Sequence, residues 1–142
     1  MRALTRFRQR RDVVTEGSVP SLNDLLRRAR VEWHGVELHR PDWGAESHAL
    51  AFSLRTLGAR FLLHGIFNAY WEPLTFELPA ASVDDRWRRC IDTALDSPDD
   101  IYPWHEAPIV TGATYVAQPR SVVLLALGLR RTRDGDERAV PQ

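Results

Sequence analysis

The feature that most constrains the fold is a change of hydrophobic period at residue 31, from helical spacing to the two-residue alternation of β-strands. Residues 74–78, Leu-Thr-Phe-Glu-Leu, are the clearest example. Successive side chains of a strand point to opposite faces, so the three apolar residues face one side while Thr75 and Glu77 face the other. Pro73 and Pro79 bracket this run, where a missing N–H donor does little harm. A half-buried strand is predicted there.

Similar runs recur along the chain. Residues 60–70 and 121–130 are apolar on both faces, as central strands are. Weaker strands are predicted at 31–38 and around 114–117. Two further runs have defined faces: residues 48–57 place Leu50, Phe52 and Leu54 opposite Ser53 and Arg55, and residues 86–93 put Trp87 and Ile91 on one side.

Six or seven short strands separated by turn signals predict an all-β, antiparallel β-sandwich over residues 31–130. No long helix recurs between the strands, which argues against parallel winding. Residues 1–30 are predicted to be a helical lead-in, with Leu4 and Phe7 on one face and Ser21 capping a short helix at 22–29. Residues 131–142 have no period and are predicted to form a flexible tail.

Composition limits the choice of partners and compartment. The 142 residues suffice for one domain, and 19 basic residues (all Arg) balance 19 acidic ones, so no net field recruits nucleic acid or an anionic membrane. No run approaches the roughly 18 apolar residues of a membrane span. Cys90 is alone, which excludes an internal disulfide and fits a buried apolar role in a reducing compartment. A cytoplasmic protein is expected.

A search for catalytic or metal-binding patterns identifies no catalytic residue, metal ligand or cofactor motif. The carboxylates clustered between Asp92 and Asp100 lie in a turn-rich segment, where Asp side chains bond nearby backbone N–H groups. Glu72 either accepts a backbone donor or touches a sugar. His34, His39 and His48 lack the tight pairing that zinc sites use. No phosphate-binding or nucleophile-elbow motif appears.

Five tryptophans are the most informative side chains. Trp87 and Trp33 are assigned to packing. Trp43, Trp71 and Trp104 lie in loops or at strand ends, where an exposed indole could stack on a sugar ring, and they are the candidate substrate-binding residues. Packing at the edge of the sandwich remains an alternative for each.

Several segments carry a resemblance to a known family, in this order: Glu32-Trp33-His34-Gly35-Val36, Pro41-Asp42-Trp43, Ser47-His48-Ala49-Leu50-Ala51-Phe52, residues 67–79 (Phe-Asn-Ala-Tyr-Trp-Glu-Pro-Leu-Thr-Phe-Glu-Leu-Pro), Trp87-Arg88-Arg89-Cys90-Ile91-Asp92-Thr93 and Pro119-Arg120-Ser121. Together they resemble the C-terminal β-sandwich domain of bacterial glycogen-debranching enzymes of the isoamylase type, in the α-amylase superfamily. The likeness extends over roughly residues 1–128, and residues 1–14 resemble the segment that leads out of the catalytic barrel.

The resemblance implies a function and partners. The family's complete enzymes hydrolyse α-1,6 branch linkages with carboxylates held in a (β/α)8 barrel, and none of those motifs is present here. The first hypothesis is therefore a non-catalytic accessory domain whose partners are a catalytic barrel, in cis or in trans, and α-glucan such as glycogen. The second is an independent glucan-binding module. The third is a complete hydrolase with an unrecognised site around Glu72 and the Asp92–Asp100 loop.

Overall fold

The computed structural model describes residues 30–55, 61–82 and 85–129, and within these ranges the chain is all-β. Its strands are β1 (Val31–His34), β2 (Ala49–Arg55), β3 (Phe61–Asn68), β4 (Leu74–Glu77), β5 (Trp87–Asp92), β6 (Thr114–Ala117) and β7 (Ser121–Gly128). Each pairing between them is antiparallel. The prediction of an all-β, antiparallel fold is confirmed.

The strands form two sheets, one of five strands in the order β1-β2-β3-β7-β5 and one that pairs β4 with β6. β3 and β7 have a neighbour on each side, which confirms the prediction that the two runs apolar on both faces are central strands. A central strand has hydrogen-bonded neighbours on both sides, and both faces of the sheet can be covered there. Apolar residues along its whole length are therefore expected.

The core lies between the two sheets. From the small sheet, Phe76 and Ala117 pack against Ile66 of β3 and Val123 and Leu125 of β7, and all five are buried. Leu78 follows β4 into the same cluster, while Thr75 and Glu77 are exposed, as the alternation predicts. Full burial of a side chain the size of Phe76 stabilises the fold by roughly 1.5–3 kcal/mol.

β2 keeps its predicted alternation, but its larger side chains face away from this core. Ala51 and Ser53 are buried on the inner side, and the partly buried Leu50, Phe52 and Leu54 lie on the outer side. The inner side has no room for large residues next to β2, because the rings of His34 and His64 fill that space and hydrogen-bond to Ser53.

The prediction that Trp87 and Ile91 share a face is wrong. The register of β5 against β7 shifts between Arg89 and Ile91, so that Trp87 pairs with Leu127 whereas Ile91 pairs with Leu124. A bulge adds one residue to a strand and reverses the alternation beyond it. Trp87 therefore joins the inner core, and Ile91 packs on the outer side with Cys90.

Some predictions fall outside the described residues. The helical lead-in is one, because only Arg30 of residues 1–30 is described, and the tail at 131–142 is another. In the three described ranges, no helix is long and apolar enough to cross a membrane.

Candidate functional site

The outer side of the five-stranded sheet carries a row of aromatic side chains across β1, β2 and β3. The ring of Phe52 lies between Trp33 and Phe67, with both centroid distances 6.0 Å. Trp43, from the loop after β1, meets Trp33 edge-on at 5.6 Å between centroids. These four side chains are referred to below as the aromatic face.

The strand register creates this row. Trp33 pairs with Phe52 across β1 and β2, and Phe52 pairs with Gly65 of β3. Side chains of directly paired residues lie on the same side of a sheet. The Phe52 ring lies over Gly65 so closely that a Cβ there would come within 2.3 Å of Phe52 Cε1. Gly65 thus leaves room for the ring to bridge towards Phe67.

The aromatic face is open, whereas the other half of the same sheet side is covered. Trp33, Trp43 and Phe67 are 45%, 66% and 40% exposed. Over β5 and β7, the loop between β5 and β6 contributes a covering cluster in which Ala107, Tyr102 and Trp104 pack with Cys90, Ala126, Leu63 and Ile91. The aromatic face is therefore a candidate contact surface.

A second aromatic group follows the end of β3. Tyr70 and Trp71 lie with ring centroids 4.0 Å apart and planes 31° apart, and His48 is 6.2 Å from the Trp71 ring. Trp71 is 61% exposed. We call this group the Tyr70–Trp71 platform.

An open cleft of about 280 Å³ adjoins the platform. Its polar lining comes from Arg40, Asp42, Glu46, Ser47 and His48, and Tyr70, Ala49, Val36 and Leu74 form its apolar wall. An aromatic surface beside several hydrogen-bonding groups suits a ligand with both apolar and hydroxyl faces.

Asn68 fixes the backbone that carries the platform. Its Oδ1 accepts the Tyr70 N–H at 3.0 Å, and the two N–H groups of its Nδ2 are shared among the carbonyls of Glu72 at 2.9 Å and of Ala117 and Gln118 at 3.0 Å each. The side chain is buried and joins β3 to the end of β6. This role was not predicted from the sequence, although an Asn side chain commonly accepts the backbone N–H two residues further on and so forms a turn.

The three candidate tryptophans lie in three different ring clusters. Trp43 belongs to the aromatic face and Trp71 to the platform. Trp104 is partly buried, with its ring 4.8 Å from that of Phe61 and 5.5 Å from the Arg88 guanidinium, so it packs over the sheet. Of the two assigned to packing, Trp87 is buried. The assignment of Trp33 is wrong in part, since β1 is an edge strand whose outer side is open.

A buried histidine network lies beneath β1, β2 and β3, and our sequence reasoning did not identify it. The His39 backbone N–H donates to His34 Nδ1 at 2.9 Å, which leaves His34 Nε2 to donate to Ser53 Oγ at 2.9 Å. Ser53 Oγ then donates to His64 Nδ1 at 3.1 Å. His64 Nε2 is buried without a hydrogen-bond partner.

This network is structural rather than catalytic. A serine within reach of a histidine resembles a nucleophile and its base, but His34, Ser53 and His64 are all buried, so no substrate reaches the hydroxyl. Burial lowers the pKa of His64 to about 4, with a smaller effect from His34. Burial also lowers the pKa of His34, followed by the influence of His39. Both rings are therefore neutral at pH 7.

Of the carboxylates between Asp92 and Asp100, Asp92 and Asp99 bond the local backbone and two tyrosines, whereas Asp100 Oδ1 is buried without a hydrogen-bond partner. Asp92 accepts the Ala94 N–H at 3.0 Å and the Tyr115 hydroxyl at 2.6 Å, and Asp99 accepts the Tyr102 hydroxyl. Burial, followed by the bond to Asp92, raises the pKa of Tyr115 to about 12. No group of three or more His, Cys, Asp or Glu residues in the described ranges is arranged to hold a metal ion.

Of the other acidic residues, Glu77 accepts the Leu38 N–H at 3.0 Å through its carboxylate. Glu72 is exposed, and the group of this residue that accepts from Asn68 is its backbone carbonyl, not its carboxylate. Asp92, Asp99 and Glu77 thus bond groups within the fold, and Ser53 is held between His34 and His64.

Comparison with known proteins gives one family and two relatives. A family model described as "Isoamylase 1-3, C-terminal" matches residues 32–122, more than half of the chain. The chain is 31% identical over 101 residues to "Isoamylase SU1, chloroplastic" of Zea mays, covering 70% of this chain and 12% of that protein. It is 33% identical over 105 residues to "Isoamylase 3, chloroplastic" of Oryza sativa subsp. japonica, covering 72% and 13%.

Proposed function

The chain belongs to the family of isoamylase C-terminal domains, and from this membership we propose that it is the non-catalytic accessory domain of an isoamylase-type, glycogen-debranching glycoside hydrolase. Its two sheets then form the β-sandwich of an α-amylase-type C-terminal domain, over residues 31–130. The lead-in at 1–30 connects it to a catalytic barrel in the same chain, or docks it to one in a second chain.

The observation that carries this proposal is the state of the reactive side chains in the described ranges. Ser53 and His64 are buried in a network that fixes strand positions, and Asp92 and Asp99 hold tyrosine hydroxyls. A glycoside hydrolase needs two carboxylic groups facing one open cleft, with one of them free to donate a proton. Catalysis by the complete enzyme is therefore assigned to a domain outside this chain.

A hydrolysis assay tests the absence of catalysis. The purified chain is incubated with glycogen and with a linear α-1,4 glucan, and reducing ends are measured. We expect no release above a buffer blank on either substrate. Release that follows protein concentration, and that disappears in Glu72→Gln or Asp92→Asn, would instead support a complete hydrolase with a site at those residues.

A second candidate function, an independent glucan-binding module, is favoured by the Tyr70–Trp71 platform. Trp71 is exposed and packs on Tyr70, and Tyr70 lines a cleft that carries polar groups of both charges. Of the three tryptophans predicted to contact substrate, Trp71 is favoured by this setting, Trp43 offers an open indole on the aromatic face, and Trp104 is packed over the sheet.

Affinity electrophoresis in a glycogen gel tests the second function. Binding would retard the chain relative to a glycogen-free gel, and Trp71→Ala would restore its mobility. Val116→Ala is the matched control, since Val116 is an exposed apolar residue of β6 outside the platform. Unchanged mobility of the parent chain at high glycogen would remove this function and leave the accessory role standing.

As part of the same proposal, we place the protein in the cytoplasm. The single cysteine is buried, and a cytoplasmic glucan store fits a protein without disulfides. The word "chloroplastic" in the names of the two plant relatives describes those proteins.

A further inference from the structure

The open cleft beside the Tyr70–Trp71 platform presents polar and aromatic groups to a ligand. We propose that it binds one ring of a neutral sugar, which stacks on Tyr70 and donates hydroxyl hydrogen bonds to Glu46 and Asp42, and that it rejects phosphorylated sugars. This proposal rests on the glucan-binding function, the second candidate above. It deepens that function by naming the residues that bind hydroxyl groups and a class of ligand that is excluded.

The segment between β1 and β2, residues 35–48, forms the polar wall of the cleft. Two contacts fix its course. The His39 N–H donates to Nδ1 of the buried His34 at 2.9 Å, and Gly35 lies so close to the returning chain that a Cβ there would be 2.3 Å from the Arg40 carbonyl oxygen. Because the fold holds this wall, little ordering of the backbone is needed when a ligand binds.

Tyr70 provides the aromatic wall. Asn68 Oδ1 accepts its backbone N–H at 3.0 Å, and its ring packs on Trp71 with the centroids 4.0 Å apart. The C–H groups on one face of a sugar ring can lie on such an aromatic face, while the hydroxyls at the rim stay free for hydrogen bonds. The cleft encloses about 280 Å³, just below the range of about 300–1,000 Å³ typical of sites for drug-sized molecules, so it suits one or two sugar rings.

Several hydrogen-bond acceptors lie on the polar wall. Asp42 and Glu46 line the cleft and are exposed. Asp42 Oδ1 accepts the Gly44 N–H at 2.9 Å, which leaves Oδ2 for a ligand, and within the described part of the chain no residue bonds the Glu46 carboxylate. His48 Nδ1 donates to the Glu46 carbonyl at 2.5 Å, so Nε2 of the neutral ring is a further acceptor. Each sugar hydroxyl donates one hydrogen bond, and these groups can accept several from one ring.

The charges around the cleft disfavour an anion. The Arg40 guanidinium is already paired with Glu37 at 2.6 Å, so this pair is neutral as a whole. The carboxylates that remain on the wall, Asp42 and Glu46, would repel a phosphate group placed beside them. A neutral sugar avoids that repulsion.

Two carboxylates would also attract a cation, but the arrangement of the aromatic rings favours a sugar. Sites for quaternary ammonium groups surround the cation with aromatic faces. Here Trp71 packs on Tyr70 instead of facing it across a gap, so the two rings do not enclose a cation between them.

Titration of the isotope-labelled full chain, followed by NMR, tests the proposal with three probes: maltose, maltose 6′-phosphate and tetramethylammonium. We expect maltose to shift the backbone signals of Ser47, His48 and Tyr70 until they saturate, with a dissociation constant several-fold lower than that of maltose 6′-phosphate. Absence of saturable shifts with maltose would overturn the proposal. Equal or tighter binding of the phosphorylated sugar or of tetramethylammonium would overturn it as well.

A charge-removing variant tests the role of Glu46. Glu46→Gln should weaken maltose binding several-fold and reduce the discrimination against maltose 6′-phosphate, because a negative charge is gone. Glu106→Gln, the matched control, changes an exposed carboxylate outside the cleft and should leave both quantities unchanged. An unchanged indole signal of the buried Trp87 verifies that each variant is folded. Equal maltose affinities in the two variants would contradict the assignment of Glu46.

The glycogen gel separates failure of this proposal from failure of the glucan-binding function. If glycogen retards the parent and Asp42→Asn/Glu46→Gln equally, the chain binds glucan elsewhere, so the function stands and the assignment of the cleft is wrong. Retardation that is lost in the double variant and kept in Glu106→Gln would support both. A parent chain that binds neither glycogen nor maltose would overturn both and leave the accessory role, which the hydrolysis assay tests, unaffected.

Discussion

At the scale of single residues, the buried histidine network links the stability of the fold to pH. In the folded state the pKa of His64 is about 4, so its ring is neutral above that pH. In the unfolded chain the ring has its ordinary pKa of 6.5 and takes up the proton at a higher pH. The free energy of unfolding is therefore unaffected by the titration of His64 above pH 6.5 and decreases as pH falls towards 4, because between these values only the unfolded state gains the proton. The shift corresponds to on the order of 3 kcal/mol.

Urea unfolding at pH 7.5 and pH 4.5 measures this effect. We expect the parent chain to lose more unfolding free energy between the two pH values than His64→Gln, which has no titrating ring at position 64 but retains that of His34. His105→Gln, a change at an exposed histidine, should retain the pH dependence of the parent. An equal loss in the parent and in His64→Gln would contradict the assignment.

Cys90 provides a second prediction at this scale. Burial raises the pKa of its thiol to about 11, partly offset by Arg88, and the thiolate is the reactive form. The native chain should therefore react with a thiol reagent at pH 8 only after unfolding in guanidinium. Rapid stoichiometric reaction of the native chain would show that the covering cluster over β5 and β7 opens.

At the scale of the strands, the contact between β2 and β3 depends on Gly65. Gly65→Ala would force the Phe52 ring out of its place and is expected to cost about 1–3 kcal/mol, the usual range for overpacking. The same change in a Phe52→Ala background should cost much less, because the ring is gone. The two costs come from denaturant unfolding, and equal costs would mean that Phe52 does not lie over Gly65.

Asn68 joins the two sheets, which gives a prediction with a close control. Asn68→Ala leaves the carbonyls of Glu72, Ala117 and Gln118 without their donor, and a loss of about 2–3 kcal/mol in unfolding free energy is expected. Gln118→Ala retains the backbone carbonyl that accepts from Asn68 and should change stability by less than about 0.5 kcal/mol. Similar losses in both variants would contradict the role of the Asn68 side chain.

The strands could be predicted from sequence because the alternation of apolar and polar residues is a local property. The errors arise at positions where contacts with other parts of the fold determine which way a side chain faces. The alternation in 74–78 identified β4 and its buried side, but nothing in 86–93 marks the bulge that turns Ile91 outward. Likewise, the position of Trp71 at the end of a strand marks it as a candidate from sequence alone, whereas the exposure of Trp33 follows from the place of β1 at the edge of the sheet. The histidine network joins residues 11 and 19 positions apart through strand pairing, which sequence spacing does not encode.

At the scale of the whole molecule, the described ranges combine a buried core with two exposed aromatic areas, and two of their carboxylates, Asp92 and Asp99, bond tyrosine hydroxyls. The chain spans only 12% and 13% of the length of the two plant relatives. A core of this kind can hold a binding surface rigid without taking part in bond cleavage. Our central claim is therefore an accessory domain that acts with a catalytic domain.

The most direct test is to immunoprecipitate the chain from a lysate of its source organism and to assay the precipitate for cleavage of α-1,6 branches in glycogen. The recombinant chain alone serves as the reference. We predict branch cleavage in the precipitate and none with the recombinant chain, because the catalytic domain accompanies the native protein in cis or in trans. A precipitate without branch-cleaving activity, or a recombinant chain that cleaves branches by itself, would contradict the account.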